Sequence, residues 1–454
     1  MPSPAQERWT ILAGIPKVVG DEEAGGMSPL GTTIAVDCND APCASVLTVP
    51  RRVSSEPTTI SYPYVAAADP SGLILLSATQ PHSNLSTMVS YRLCDAPTGK
   101  SVGIPRHNRP MGLHGSNAGL IRRDRDFMIA ELRPTHDGSG RATLLCFRAG
   151  KHEWTVKELA YSPPLHRRFF GEGVVSHAGM LWWVDLSYGI LACNPFDDEP
   201  EILYVPLPKV VDELPVNPAN RGVYSCLKVS GGRLRYLQIH GTSDAPVVTM
   251  WALTDPPCAA EWNHERSVPL SDIWTDPNYL DTKLPWSIPA LALLHPTDPD
   301  KVYFFLSSYI FAVDLRLKKV VECNGFVMPG PPSHMKLSSH FVHAWKYDPS
   351  YILGRDFLPK CFKENKVSLD PKYKKYMKNY IKRLTAAQIR MTQATPVTTP
   401  VIPVTTPFIP VTTPFIPVTT RHPNNRLKRF RDHDHMVMEE QLTKRMKLEA
   451  MMTW

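Results

Sequence analysis

The chain has 454 residues, with 50 Lys and Arg against 43 Asp and Glu, for a formal net charge of +7. Hydrophobic residues make up 43% of the chain, which is enough for a sizeable core. No apolar run approaches the ~18–20 residues that span a bilayer. The first eight residues are polar and lack the apolar centre of a secretory signal, so a membrane or secretory class is not expected.

The positive charge is confined to the C-terminal part of the chain. Residues 355–454 contain 19 Lys and Arg but only 8 Asp and Glu. Residues 1–354 therefore contain 31 Lys and Arg and 35 Asp and Glu. The body is therefore mildly acidic, whereas a nucleic-acid-binding body would be expected to have a basic face. We expect contact with nucleic acid, if there is any, only through the basic tail.

The nine cysteines are widely spread and contain no C-x-x-C pair. A disulfide framework or a zinc knuckle would need closer spacing. The pattern predicts free thiols, mostly buried, in a reducing compartment. The composition therefore implies no cofactor and no metal site in the body.

Residues 1–350 are predicted to form an all-β body. Short runs rich in Val, Ile, Leu and aromatic residues alternate with clusters of Gly, Pro, Asp and Asn, which is typical of strands and turns. These runs recur as units of three or four strands over roughly 40–55 residues, a period that is typical of propeller blades. The units cover residues 66–100, 118–159, 173–206, 225–269 and 290–323, and the first begins with a turn at 66–72.

The repeats predict a β-propeller of about six blades, with five or seven left open. Three N-terminal strands, at 9–12, 32–36 and 45–49, are expected to supply a further blade or to close the ring, with the last strand from 339–347. Radial repetition leaves few exposed sheet edges, which is the advantage of this fold. The alternative is a pair of β-sandwiches.

Two adjacent tryptophans, Trp182 and Trp183, lie in one of the predicted strands. Alternation in a strand sends one ring to each face of the sheet. We expect one ring to pack between blades and the other to reach a surface, as part of the core rather than of a binding site.

The phrase around these tryptophans, G-x-L-W-W-V-D-L-x-x-G-I-L from Gly179 to Leu191, resembles a plant family known as domain of unknown function 1618, which is expanded in grasses. Segments 9–12, 69–76 and 341–345 are similar to the same family, so the resemblance covers about residues 9–347. It implies a β domain and no established activity.

Residues 351–393 are predicted to contain a basic amphipathic helix. Asp370 and Pro371 suit its first turn, and tyrosines, methionine and leucine then follow a helical period with lysines mostly off that stripe. The helix either docks its tyrosine stripe on the body or binds a nucleic acid, an anionic membrane or an acidic partner.

Residues 394–423 form a predicted Pro/Thr-rich linker. A seven-residue unit, Pro-Val-Thr-Thr-Pro-(Val/Phe)-Ile, occurs three times from Pro396, and a fourth copy begins at Pro417. Proline at this density removes backbone donors and fixes φ, which excludes helix and sheet. We expect a disordered, extended spacer.

Residues 424–454 form a basic tail with two compact clusters of the kind that nuclear import receptors bind in an extended chain. The nuclear-import candidates are Lys428, Arg429, Arg431, Lys444, Arg445 and Lys447. The alternative is a charged terminal helix over 437–452. The tail predicts a nuclear location, a cytoplasmic one, or both.

The sequence contains no phosphate loop, no nucleophile elbow and no H-E-x-x-H motif. His433 and His435 offer too few ligands for a closed metal site. We therefore name no catalytic, cofactor or metal residues, and we expect a non-catalytic scaffold that binds an unknown protein partner. An enzyme or a small-molecule binder that uses the central channel remains the alternative, because such a site is not contiguous in sequence.

Overall fold

The structure is a computed structural model. It describes residues 9–20, 34–58, 61–81, 87–105, 117–124, 126–210, 214–215, 218–254, 260–330 and 335–347. All of them belong to one compact unit, Met1–Val367. The predicted helical segment 351–393, the linker 394–423 and the basic tail 424–454 lie outside the described residues.

The described residues form an all-β body with two short helices. The strands are β1 (Thr10–Ala13), β2 (Lys17–Val19), β3 (Ala35–Asp37), β4 (Ala44–Pro50), β5 (Tyr64–Ala68), β6 (Leu73–Pro81), β7 (Thr87–Asp95), β8 (Lys100–Gly103), β9 (Ala118–Arg123), β10 (Asp126–Pro134), β11 (Arg141–Arg148), β12 (Thr155–Ala160), β13 (Val174–His177), β14 (Met180–Asp185), β15 (Gly189–Cys193), β16 (Leu203–Val205), β17 (Ser225–Ser230), β18 (Arg233–Gly241), β19 (Pro246–Leu253), β20 (Trp262–Pro269), β21 (Ala290–Leu294), β22 (Lys301–Leu306), β23 (Tyr309–Asp314), β24 (Lys319–Gly325) and β25 (Val342–Trp345). The helices are α1 (Leu270–Trp274) and α2 (Pro277–Thr282). Neither is long and apolar enough to cross a bilayer.

Five four-stranded antiparallel sheets form the blades of a β-propeller. Blade 1 is β5–β8, blade 2 is β9–β12, blade 3 is β13–β16, blade 4 is β17–β20 and blade 5 is β21–β24. In each blade the strands pair in chain order, as expected for strands joined by short turns. The first strand of each blade contacts the first strand of the next, so these strands are innermost. The predicted propeller is confirmed, with five blades rather than the predicted number of about six, because the N-terminal strands and the last strand form a separate sheet.

A sixth sheet closes the ring and is built from both ends of the described body. In this closing sheet β25 pairs antiparallel with β1, and Thr10 lies opposite Trp345. Strand β4 then pairs parallel with β1 and β2 and antiparallel with β3. Because β25 contacts the innermost strands of both blade 5 and blade 1, the ring is complete. The expected role of the N-terminal strands and of the last strand is borne out.

Six clusters of buried apolar side chains hold the ring together, one at each junction between neighbouring sheets. The clusters join blades 1 and 2, 2 and 3, 3 and 4, 4 and 5, blade 5 and the closing sheet, and the closing sheet and blade 1. Burial of apolar surface contributes about 25 cal/mol per Å². The core is therefore a set of radial layers between the sheets.

The two tryptophans of the G-x-L-W-W-V-D-L phrase are both fully buried. Trp183 packs in the cluster between blades 2 and 3, and Trp182 packs in the cluster between blades 3 and 4. The expectation that one ring reaches a surface was wrong. A strand inside a blade has a neighbouring blade on each of its faces, so both positions of the alternation are interior.

The aspartate of this phrase, Asp185, holds the turn after β14 in place. Asp185 is fully buried, and its carboxylate accepts two hydrogen bonds from Arg167, at 2.9 and 3.0 Å. It also accepts the backbone N–H groups of Phe170, at 2.9 Å, and Ser187, at 3.0 Å. A buried carboxylate needs such partners, because burial without them is costly. The phrase therefore has a structural role in blade 3.

Two local expectations differ from the structure. The segment 66–76, expected as a turn that leads into a strand, contains the turn and the start of β6, but its first three residues are the end of the innermost strand β5, whose small alanines give a weak strand signal. The two helices between β20 and β21 were not predicted either, because each covers fewer than two turns and shows no helical period. Helix α1 packs against β19 and β20 of blade 4, and α2 packs against β24 of blade 5, where Asn278 Nδ2 donates to the Val320 carbonyl at 2.9 Å.

The closing sheet gives a test of the fold by truncation. A chain that ends at Tyr347 should keep a cooperative unfolding transition, whereas a chain that ends at Ser338 should lose it. The shorter chain lacks the buried side chains of Phe341 and Trp345, and removal of one such aromatic costs about 3–5 kcal/mol, much of a typical net stability of about 5–15 kcal/mol. Circular dichroism during heating measures the difference. Equal cooperativity in the two chains would contradict the closure.

Candidate functional site

The innermost strands surround a cavity of about 270 Å³ in the central channel. We call it the channel cavity. Its wall includes side chains from β5, β13, β17 and β25 and from the residues that precede three of these strands. The charged and imidazole side chains on this wall are Asp69, Glu172, Lys228, His340 and His343. They come from four different sheets.

The residues that precede the innermost strands contact one another at one end of the channel. His340, before β25, donates from Nδ1 to the carbonyl of Glu172, before β13, at 3.2 Å. Ser339 Oγ donates to the carbonyl of Gly222, before β17, at 3.1 Å. Tyr64, the first residue of β5, donates from its hydroxyl to the His340 carbonyl at 2.8 Å. These contacts form a mouth to the channel cavity.

The rings of Tyr64 and His340 stack at this mouth. Their centroids lie 4.7 Å apart and their planes differ by 6°. An offset stack of this kind adds to the stabilisation that burial provides. The contact holds the imidazole of His340 against the wall of the channel.

Glu172 is the carboxyl of the mouth. Its Oε2 accepts the backbone N–H of Leu186 at 2.6 Å, and its Oε1 lies 3.9 Å from Arg221 Nη1. Desolvation by burial is the main cause that raises the pKa of Glu172 to about 7, and the negative charge of Asp185 adds to it. Glu172 therefore changes charge near neutral pH.

Lys228 places an ammonium group on the wall of the cavity. Its Nζ donates to the carbonyl oxygens of Ser339 at 2.8 Å and of Val342 at 3.3 Å. Burial lowers the pKa of this ammonium group. None of the carboxylates that the structure describes forms an ion pair with it.

His343 and Cys226 add neutral groups beside Lys228. His343 donates from Nε2 to the Val65 carbonyl at 2.8 Å, and burial lowers the pKa of its imidazole to about 3. Burial raises the pKa of the Cys226 thiol to about 11, so at neutral pH the group is the thiol and not the nucleophilic thiolate. The cavity therefore offers one ammonium, two carboxyl groups, of which that of Glu172 changes charge near neutral pH, and neutral imidazole and thiol groups.

These groups fit binding better than nucleophilic catalysis. A covalent mechanism needs a nucleophile within hydrogen-bond reach of a base that is held by a third group. Cys226 is a protonated thiol, and the ring nitrogens Nδ1 of His340 and Nε2 of His343 donate to backbone carbonyls. Within the described ranges, no group of three His, Cys, Asp or Glu side chains could hold a metal ion.

The sequence analysis did not find these residues. Lys228 lies in the segment Ser-Cys-Leu-Lys-Val-Ser, where one lysine among alternating residues is typical of a strand with a solvated face. The one available signal is its position in the first strand of a repeat, which is the innermost strand. The predicted nuclear-import residues, Lys428 to Lys447, lie outside the described part of the chain.

Glu172 gives a test by pH. Because its pKa in the folded protein is about 7, above the ordinary value of 4.5, the folded state holds the proton more tightly than the unfolded state. The contribution of this group to the free energy of unfolding therefore falls as pH rises from about 4.5 to about 7. Glu172→Gln removes that loss. The unfolding temperature of the variant minus that of wild type should therefore be larger at pH 8 than at pH 5.

The matched control for this measurement is Glu153→Gln, which changes an exposed carboxyl in the turn before β12. Its effect on the unfolding temperature should be small and similar at the two pH values, because an exposed carboxyl interacts with water in both states. If Glu172→Gln shifts the unfolding temperature equally at pH 5 and pH 8, the buried environment assigned to Glu172 is wrong.

Three solved structures illustrate what the chain is similar to. The first is apo AztD from Citrobacter koseri, at 11% identity and a TM-score of 0.27, with 59% of this chain and 72% of that chain covered. The second is an alpha-L-arabinanase from Penicillium chrysogenum complexed with arabinobiose, at 10% identity and a TM-score of 0.29, with 68% of this chain and 83% of that chain covered. The third is the Cps50 (Swd1) β-propeller domain from Myceliophteria thermophila, at 10% identity and a TM-score of 0.30, with 57% of this chain and 85% of that chain covered. At these scores the likenesses carry no conclusion about the site.

The sequence comparisons agree with the resemblance drawn from the tryptophan phrase. No curated protein matches the chain. The model of a family described as "Protein of unknown function (DUF1618)" matches residues 183–303, from Trp183 of β14 to Tyr303 of β22. The plant origin that the resemblance implies stays a prediction. Residues 183–303, in blades 3 to 5, therefore carry the domain of unknown function 1618.

Proposed function

We propose that the protein is a non-catalytic scaffold that binds a protein partner through blade 5. The supporting observation is where exposed apolar side chains occur. Of the eight large hydrophobic side chains that are exposed among the described residues, six lie between Leu280 and Val327, in blade 5 or next to it. Single exposed apolar residues are ordinary, but a concentration of them on one part of a surface marks an interaction site.

Three of these side chains lie at the same end of blade 5. Trp286 precedes β21, Tyr309 begins β23 and Val327 follows β24. In an antiparallel meander, the starts of the first and third strands and the end of the fourth strand are at one end. The Phe326 N–H donates to the Ser308 carbonyl at 2.8 Å, which brings Val327 beside Tyr309. Trp286 is 64% exposed and Val327 is 88% exposed.

Tryptophan and tyrosine are among the residues that contribute most to protein-binding hot spots. Tagged full-length protein should therefore lose its associated proteins when Trp286 or Val327 is changed to Ser. Quantitative mass spectrometry after affinity purification measures the association. Exposed substitutions of this kind leave stability within about 0.5 kcal/mol, so loss of the fold would not explain the result.

The control for this experiment is Val156→Ser, which removes an exposed valine from β12 of blade 2. This variant should keep the same associated proteins in the same amounts. If wild type and all three variants recover identical proteins, blade 5 is not the binding surface.

We also propose that the basic tail directs the scaffold to the nucleus. The support comes from the sequence, in which two clusters of basic residues lie within 20 residues of each other between 428 and 447. A fluorescent reporter fused to residues 421–454 should accumulate in nuclei. A matched reporter in which Lys428, Arg429, Arg431, Lys444, Arg445 and Lys447 are changed to Ala should not. Equal nuclear signal from both reporters would contradict this role.

The second candidate function is small-molecule binding in the central channel. The observation that favours it is the channel cavity, of about 270 Å³, with Glu172, Lys228 and His340 on one wall. Binding pockets commonly combine apolar walls with a few convergent polar groups of this kind. The two functions are compatible, because the cavity lies inside the ring and the blade 5 side chains are exposed.

A further inference from the structure

We infer that the channel cavity binds a small oxyanion, a carboxylate or a phosphate, through the ammonium group of Lys228. This inference rests on the second function proposed above and names its ligand class. Two observations carry it: the cavity itself, and a lysine on its wall that has hydrogen-bond partners but no counter-charge.

The first step concerns the hydrogen bonds of Lys228. An ammonium group has three N–H donors and no acceptor. Two donors are taken by the carbonyl oxygens of Ser339 and Val342, which hold the side chain in one direction and stabilise its charged form. The third donor is left for a group inside the cavity. Oxygen atoms of an anion form the stronger, charge-assisted hydrogen bond with such a donor.

The second step concerns charge. Lys228 is half-buried, and a cation that has lost part of its hydration is costly unless an opposite charge lies close to it. The two carboxyl groups on the cavity wall are Asp69 and Glu172, and each already has a cationic neighbour. Asp69 Oδ1 lies 3.2 Å from Arg122 Nη1, and Glu172 Oε1 lies 3.9 Å from Arg221 Nη1. Neither pairs with Lys228, so the missing counter-charge is one that a ligand can supply.

The third step concerns the neighbours of Lys228 on the wall. Burial keeps the imidazole of His343 and the thiol of Cys226 neutral at pH 7, so neither supplies a negative charge. Leu227 and Val229, the adjacent residues of β17, line the same cavity. Apolar walls lower the local dielectric and strengthen the attraction between an ammonium and an anion. The arrangement therefore favours an anion over a neutral or cationic ligand.

The first experiment uses isothermal titration of the full chain at constant ionic strength with three probes: inorganic phosphate, citrate and glucose. Phosphate and citrate separate the two sources of an oxyanion, and glucose is a neutral control. We expect phosphate or citrate to bind to wild type and glucose not to bind. Loss of a charge-assisted hydrogen bond should weaken anion binding by at least about tenfold in Lys228→Met.

Lys228→Arg is the matched variant, because it keeps a positive charge and hydrogen-bond donors at the same position. It should retain anion binding within a few-fold of wild type. Thermal unfolding of both variants shows whether the ring is intact. If neither phosphate nor citrate binds to wild type, or if Lys228→Met binds them as tightly as wild type does, the inference is overturned. If glucose binds to wild type and still binds to Lys228→Met, the proposal that the channel binds a small molecule would stand. The inference that this molecule is an anion held by Lys228 would then be overturned.

A measurement on wild type covers the case in which the variants do not fold. Acetic anhydride acetylates amine groups that it can reach, and mass spectrometry reports the modified fraction at each lysine. The oxyanion that binds, at saturation, should reduce acetylation of Lys228 several-fold. Acetylation of Lys151, which is exposed in the turn after β11, should not change. Equal acetylation of Lys228 with and without the anion would overturn the inference.

Discussion

Closure of the ring by β25 is the constraint on which the rest of the structure depends. Each blade presents apolar side chains on both faces, so each must be covered on both sides. Blades 1 and 5 have a blade on one side only, and the closing sheet covers the other side of both. That sheet joins β1 to β25, whose residues are more than 300 positions apart in the chain. Loss of this pairing would expose two apolar faces at once.

The channel cavity is a consequence of the same closure. Lys228 is held by Ser339 and Val342, and His340 contacts both Glu172 and Tyr64. The last segment of the ring therefore contacts side chains from blades 1 and 4 and the backbone of Glu172, the residue before blade 3. A charged group that is buried in this way needs a fixed environment, because its desolvation is compensated only by well-placed partners. The residues of β25 and its preceding turn thus close the fold and also shape the cavity.

The sequence predicted the parts of the fold that depend on local pattern. The recurrence of strand runs and turns every 40–55 residues predicted the propeller. The tryptophan phrase predicted the family resemblance, which the match of the family model to residues 183–303 supports. The burial of Trp182 and Trp183 on both faces could not be derived from alternation alone, because it depends on a neighbouring blade on each side. The helices α1 and α2 are too short for a helical period.

The candidate site was not predictable for a related reason. Tyr64, Glu172, Lys228 and His340 are separated by long stretches of chain, and each occurs in a sequence that is ordinary for its strand or turn. Radial geometry, not a contiguous motif, brings them to one channel. The exposed side chains of Trp286 and Val327 are similarly unremarkable in sequence, since only the finished blade shows that they are not covered.

Hydrogen exchange of the full chain, followed by mass spectrometry, tests the closed ring most directly. Backbone amides are protected from exchange to the extent that their hydrogen bonds open only with global unfolding. Peptides that contain β1 and β25 should be protected as strongly as peptides from β14 and β15, and should lose protection together with them in denaturant. Fast exchange of β1 and β25, with blades 1 to 5 still protected, would contradict the closure on which the channel cavity depends.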